Sequence, residues 1–83
     1  MTISLERAAL RGKLSEAEHN LMALRLRIEG LCVTIRWSLN TALTSLDDLD
    51  IPKVASQMDI LVENRTQYQK TRIDIERLQK EMN

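Results

Sequence analysis

The feature that most constrains this chain is a regular row of aliphatic and small residues in its first half. Successive members are alternately four and three residues apart, which is the spacing of a helix face packed along a neighbouring helix. The row continues for about four and a half heptads and contains a single polar member, Ser38. It therefore predicts one long helix with a buried face. Its members are Leu10, Leu14, Ala17, Leu21, Leu24, Ile28, Leu31, Ile35, Ser38 and Ala42.

A second apolar row lies beside the first. We expect one helix from about residue 4 to residue 46, continuing through Gly12 because the first row stays in phase there. Gly30 is expected to mark the close approach of another helix. A helix with two adjacent apolar rows can pack against more than one neighbour. The second row consists of Met22, Leu26, Val33, Leu39, Leu43 and Leu46.

The stretch "DDLDIP", residues 47–52, interrupts the helical pattern. Pro52 suits the first turn of a helix, where its missing N–H is no loss, and Asp50 can cap that helix. We therefore predict a turn at 47–51 and a second helix from about 51 to 81. The chain is expected to be a single all-α domain, residues 1–83, folded as a long antiparallel two-helix hairpin. The apolar positions of the second helix are Ile51, Val54, Ala55, Met58, Leu61, Val62, Tyr68, Ile75, Leu78 and Met82.

The length of 83 residues limits how much apolar surface one core can bury. The one cysteine, Cys32, and the one histidine, His19, exclude an internal disulfide and a zinc site of the usual Cys/His kind. Self-association remains as the source of further stability, and we predict a dimer that forms a four-helix bundle or coiled-coil assembly. The predicted self-association seam is Leu10, Leu14, Leu21, Leu24, Ile28, Leu31, Ile35 and Leu61.

The segment 31–37 also permits a different interpretation. Its apolar residues alternate with polar ones, which is typical of a half-buried strand. A strand paired with its copy and followed by two helices is the ribbon–helix–helix plan, in which Cys32, Thr34 and Arg36 would face DNA. The twelve basic and twelve acidic residues balance, whereas DNA-binding domains usually carry a basic face. We favour the helix and keep a DNA-binding regulator as the alternative function.

No set of residues predicts catalysis, a cofactor or a metal ion. His19 has no nucleophile that the sequence places within reach, so we expect a solvent-facing position and a protein that is not an enzyme. Trp37 is expected to complete the core of the bundle. If it is exposed, Trp37 and Arg36 become a candidate contact for another protein, since Trp and Arg dominate binding hot spots. The predicted function is a protein–protein interaction or adaptor module.

The longest uncharged stretch, residues 37–46, is too short and too polar to cross a bilayer. The first residues lack an apolar run of signal-peptide length. A cytoplasmic location without a membrane partner is the expectation.

Two stretches, "RIEGLC" at 27–32 and "DLDIPKVASQMDIL" at 48–61, resemble small uncharacterised proteins encoded in Mu-like prophages. The resemblance covers the central half of the chain. It implies a bacterial cytoplasmic host and a phage context, and it carries over no site residues.

Overall fold

The chain folds as two long helices joined by an irregular connection. A computed structural model describes the backbone of residues 2–83 and the side chains of residues 5–83. Helix α1 is Thr2–Ser38, a single 3₁₀ turn follows at Leu46–Asp48, and helix α2 is Ile51–Met82. The two helices pack against each other along their length. The prediction of an all-α helical hairpin is confirmed.

The segment 31–37 is helical, and no strand occurs within residues 2–83. The strand interpretation of this segment is therefore wrong. The apolar row supplies the physical reason, because Leu31 and Ile35 continue a helical repeat that begins at Leu10, and a strand would interrupt the packing along α2.

The hairpin is a thin rod. Its principal extents are 67 × 16 × 15 Å and its radius of gyration is 18.9 Å, against about 12 Å for a compact domain of this length. A pair of helices has only one line of contact, so few side chains can be enclosed on all sides. The buried apolar residues are Leu24, Ile35, Val54, Ile75 and Leu78, and no described side chain is fully buried.

The inner face of α1 is the predicted row. Leu24 and Ile35 are buried, and its other described members from residue 10 to residue 38 are partly buried. The helix runs through Gly12 without a break, as expected. Gly30 is exposed, and a Cβ atom added there would meet nothing within 4 Å. It therefore marks no close approach of helices within the chain.

Helix α1 ends at Ser38, eight residues earlier than the sequence pattern predicted. The N–H of Asn40 donates to the carbonyl of Trp37 at 3.2 Å, which tightens the last turn. The side-chain oxygen of Asn40 then accepts the N–H of Ala42 at 3.0 Å. Asparagine side chains compete with the helical backbone in this way. The prediction that the helix extends to residue 46 is therefore wrong.

The connection covers residues 39–50 instead of the predicted 47–51. The N–H groups of Leu43 and Thr44 both donate to the carbonyl of Asn40 at 3.1 Å. The Ser45 hydroxyl donates to a carboxylate oxygen of Asp48 at 2.8 Å. These local bonds satisfy backbone groups of the connection. Leu39, Leu43 and Leu46, the last three members of the second apolar row, therefore lie outside α1.

Helix α2 begins as the sequence predicted. The Asp50 carboxylate accepts the backbone N–H of Lys53 at 3.1 Å, and Pro52 occupies the first turn. The carboxylate satisfies one of the otherwise unpaired N–H groups and complements the positive end of the helix dipole.

We expect Asp50→Ala to lower the free energy of unfolding by about 1 kcal/mol, because the α2 cap is lost. Urea denaturation followed by circular dichroism measures the change. Asp59→Ala is the matched control, since Asp59 is exposed in the interior of the same helix. Equal effects of the two substitutions would contradict a capping role for Asp50.

We expect Ile75→Ala to lower the free energy of unfolding by about 2–4 kcal/mol, because it leaves a gap in the contact between the helices. Ile73→Ala should change it by less than about 0.5 kcal/mol. The two residues share a type and a helix, yet Ile75 is 8% exposed and Ile73 is 62% exposed. Thermal and urea unfolding measure both variants, and a similar loss at Ile73 would contradict the observed helix orientation.

Candidate interaction surface

The inner face of α2 differs from that of α1 because a third of its positions are polar. One set of positions repeats every seven residues and is apolar: Val54, Leu61, Tyr68, Ile75 and Met82. The interleaved set also repeats every seven residues and consists of Gln57, Asn64, Thr71 and Leu78. The first three of these residues are polar. All nine are buried or partly buried.

Apolar spacing did not predict this polar set, and it favoured Ile51, Ala55, Met58 and Val62 as packing positions. These four residues are exposed. The heptad spacing from Val54 to Met82 is the signal that identifies the inner face. In a heptad repeat, the positions three residues after each member lie on the same face of the helix.

Of the polar groups on this face, the Asn64 side-chain nitrogen has a hydrogen-bond partner and the Gln57 side-chain oxygen has none in the described part of the chain. Asn64 is 9% exposed, and its side-chain nitrogen donates to the carbonyl of Ile60 at 3.0 Å, within its own helix. The Gln57 side-chain oxygen is buried and has no hydrogen-bond partner in the described part of the chain. Polar layers of this kind weaken a helix pair while restricting its register.

The outer face of α1 carries an exposed apolar stripe, which we name the outer stripe: Met22, Leu26, Val33 and Trp37. Since each residue turns an α-helix by about 100°, Leu26 lies roughly opposite to Leu24, which is buried against α2. The stripe therefore points away from α2. Trp37 is 61% exposed in the single chain, so it fills no core between α1 and α2, and its place in the core of a bundle stays a prediction.

Arg36 and Trp37, the candidate contact for another protein, lie at the surface of the hairpin, and their use by a partner stays a prediction. Both side chains are exposed, and with Val33 and Asn40 they line a shallow groove. Trp37 thus lies on the same face as Met22, Leu26 and Val33, the members of the second apolar row that belong to α1.

The connection exposes further apolar side chains at the end of the hairpin where Trp37 lies. We name this group the tip patch: Leu39, Leu43, Leu46 and Ile51. Met58 and Val62, on the first turns of α2, are exposed as well. Scattered exposed leucines are ordinary, whereas a concentration of them is typical of an interaction surface.

The predicted self-association seam is occupied within one chain. Leu24 and Ile35 are buried and the remaining members, Leu10, Leu14, Leu21, Ile28, Leu31 and Leu61, are partly buried between the two helices. The seam forms the contact between α1 and α2, and its use between copies stays a prediction.

An open groove between the helices carries three arginines. Arg25, Arg65 and Arg72 line it together with Ile28 and Tyr68, which places the last two residues at the same level of the hairpin. The Arg25 side chain is paired with Glu29 at 3.1 Å. The guanidinium carbon of Arg72 lies 5.9 Å from the centre of the Tyr68 ring, within the range of a cation–π contact.

No catalytic arrangement emerges in the described residues. His19 is exposed and lines a shallow depression with Ser15, Glu18 and Met22. Cys32 is partly buried and forms no disulfide. Among residues 5–83, no three histidine, cysteine, aspartate or glutamate side chains converge as metal ligands would.

Neither described helix combines the length and apolar character required to cross a membrane. Comparisons of the chain with protein-family models, with curated proteins and with solved structures give no match. The surface of the hairpin is therefore the basis for its function.

We expect Gln57→Leu to raise the free energy of unfolding by about 1–2 kcal/mol, because a buried oxygen without a partner is replaced by an apolar group. Gln67→Leu is the control, since Gln67 is exposed on the same helix and leucine and glutamine have similar helix propensities. Urea denaturation at equal protein concentration compares the two. A gain confined to Gln67→Leu would contradict the assigned inner face.

Proposed function

We propose that this protein is a non-enzymatic interaction module that self-associates through helical packing and presents a helical surface to another protein. The observation that carries the proposal is the outer stripe. It runs along about four turns of α1, on the side directed away from α2, and all of its members are exposed. Such a stripe is stabilised when another helix covers it.

The surface area of the single chain supports association. The chain exposes 6677 Å², whereas a compact protein of 9.6 kDa exposes about 5,100 Å². The excess is about 1,600 Å² per chain, so a symmetric pair that removed it would bury roughly 3,200 Å² in total. This lies in the range of obligate homodimer interfaces.

The composition of the contact between α1 and α2 supports the same proposal. The inner face of α1 is almost wholly apolar, whereas Gln57, Asn64 and Thr71 place polar groups against it. A hairpin with a mixed inner face and no fully buried side chain in its described part derives limited stability from its own packing. A second copy is the simplest source of additional apolar contact.

The surface for another protein would be what a dimer leaves uncovered. The tip patch is apolar, and the distal half of α2, residues 63–81, is polar with basic side chains such as Arg65 and Arg72 beside the groove. These features suit an adaptor that binds another protein at the tip of the hairpin or along the distal half of α2. The phage context and the cytoplasmic location stay predictions.

The structure of α1 removes the basis for the alternative function, a DNA-binding regulator. That alternative depended on a strand over 31–37, and this segment is part of α1. The balanced charge of the chain gives no independent support for it.

We expect Leu26→Gln to weaken self-association by about tenfold or more, because a central apolar side chain of the outer stripe is replaced by a polar one. Sedimentation equilibrium over a range of concentrations measures the dimer dissociation constant. The wild-type chain should have a dimer mass.

Ile73→Gln is the matched control. Ile73 and Leu26 are each 62% exposed, but Ile73 lies on α2, outside the outer stripe. Its substitution should leave the dissociation constant unchanged within about twofold. A wild-type chain that is monomeric at high concentration would refute the self-association that we propose.

A further inference from the structure

The outer stripe has a symmetric spacing. Met22 and Leu26 are four residues apart, and so are Val33 and Trp37. The midpoint between Leu26 and Val33 coincides with the midpoint between Met22 and Trp37, and both fall between residues 29 and 30. A stripe with this spacing can pair with an antiparallel copy of itself, each apolar residue meeting another apolar residue.

We infer that two copies associate through their outer stripes, with the two α1 helices antiparallel about a two-fold axis that passes between Glu29 and Gly30. Leu26 then contacts Val33 of the second copy, and Met22 contacts Trp37 of the second copy. The inference rests on the proposed function and specifies the surface, the direction and the register of the association.

Gly30 supports this position of the axis. It is exposed, it lies within a regular helix, and an added Cβ atom would meet nothing within 4 Å in the single chain. A glycine here costs helix stability relative to alanine and has no compensating contact within the chain. At the centre of the pairing it would let the two α1 backbones approach closely, which is a recurrent use of glycine.

The charges next to the axis are compatible with the pairing. The two-fold symmetry brings the two Glu29 carboxylates to the same flank of the interface, where they repel. Each one is already paired with Arg25 of its own helix, the side-chain nitrogen and oxygen being 3.1 Å apart. Both side chains of the pair are mostly exposed, so solvent screens the remaining repulsion.

Other arrangements predict different neighbours. A parallel pairing of the outer stripes would place Leu26 beside Leu26 of the second copy. Pairing of the outer stripe with the exposed face of α2 would place it beside Met58 or Val62. Disulfide cross-linking separates these arrangements because it requires Cα atoms within about 7 Å of each other.

The experiment uses the full chain in a Cys32→Ala background, with Leu26→Cys and Val33→Cys made separately. The antiparallel pairing predicts a disulfide dimer when the two variants are mixed and oxidised. It predicts none from either variant alone, because identical positions are then about 10 Å apart along the helix axis. Non-reducing electrophoresis and intact mass measure the products.

Cross-linking of each variant with itself would overturn the inference in favour of a parallel pairing. Absence of the mixed product, in a sample that sediments as a dimer, would overturn the register while leaving the proposed self-association intact. Mixed and self-linked products in equal amounts would indicate chance collisions and would also overturn it.

A second pair of variants applies if the cysteine substitutions prevent association. Gly30→Leu should raise the dimer dissociation constant by at least about tenfold, because it separates the helices at their closest approach. Gly12→Leu is the control, since Gly12 lies about five turns away on the same side of α1 and is equally open. Unchanged association of Gly30→Leu would overturn the inference.

Discussion

The structure depends on a single line of contact between two helices. The apolar inner face of α1 lies along the heptad positions of α2, and the closely packed parts of this contact involve Leu24, Ile35, Ile75 and Leu78. A pair of helices cannot enclose a side chain from all directions, because it has no third element. The elongated form and the large exposed surface both follow from this limit.

The same limit explains why the apolar outer face of α1 is exposed in the single chain. In a compact domain, a stripe such as Leu26 and Val33 would be covered by another part of the chain. Here, the described part of the chain offers no further helix to cover it. The polar residues on the inner face of α2, among them Asn64, reduce the stability of the hairpin further. In the dimer that we propose, a second copy would cover this stripe with apolar surface of its own, and Gly30 would allow it to approach closely.

Much of the fold could be predicted from local signals. The row from Leu10 to Ile35 predicted α1 and its buried face, and Asp50 with Pro52 predicted the start of α2. The end of α1 was missed because it depends on the side chain of Asn40, which bonds to the backbone of Ala42, and apolar spacing does not register such competition. The inner face of α2 was missed in part because three of its nine positions are polar, and polarity suggested solvent exposure.

The sequence by itself determined that the chain is helical, where α2 begins, and which face of α1 is buried, because helical periodicity and caps act over a few residues. Only the tertiary structure decided that Trp37 is exposed, that Gln57 and Asn64 face α1, and that Gly30 has open space beside it. These properties depend on where the second helix lies. A residue is buried or exposed only relative to that neighbour.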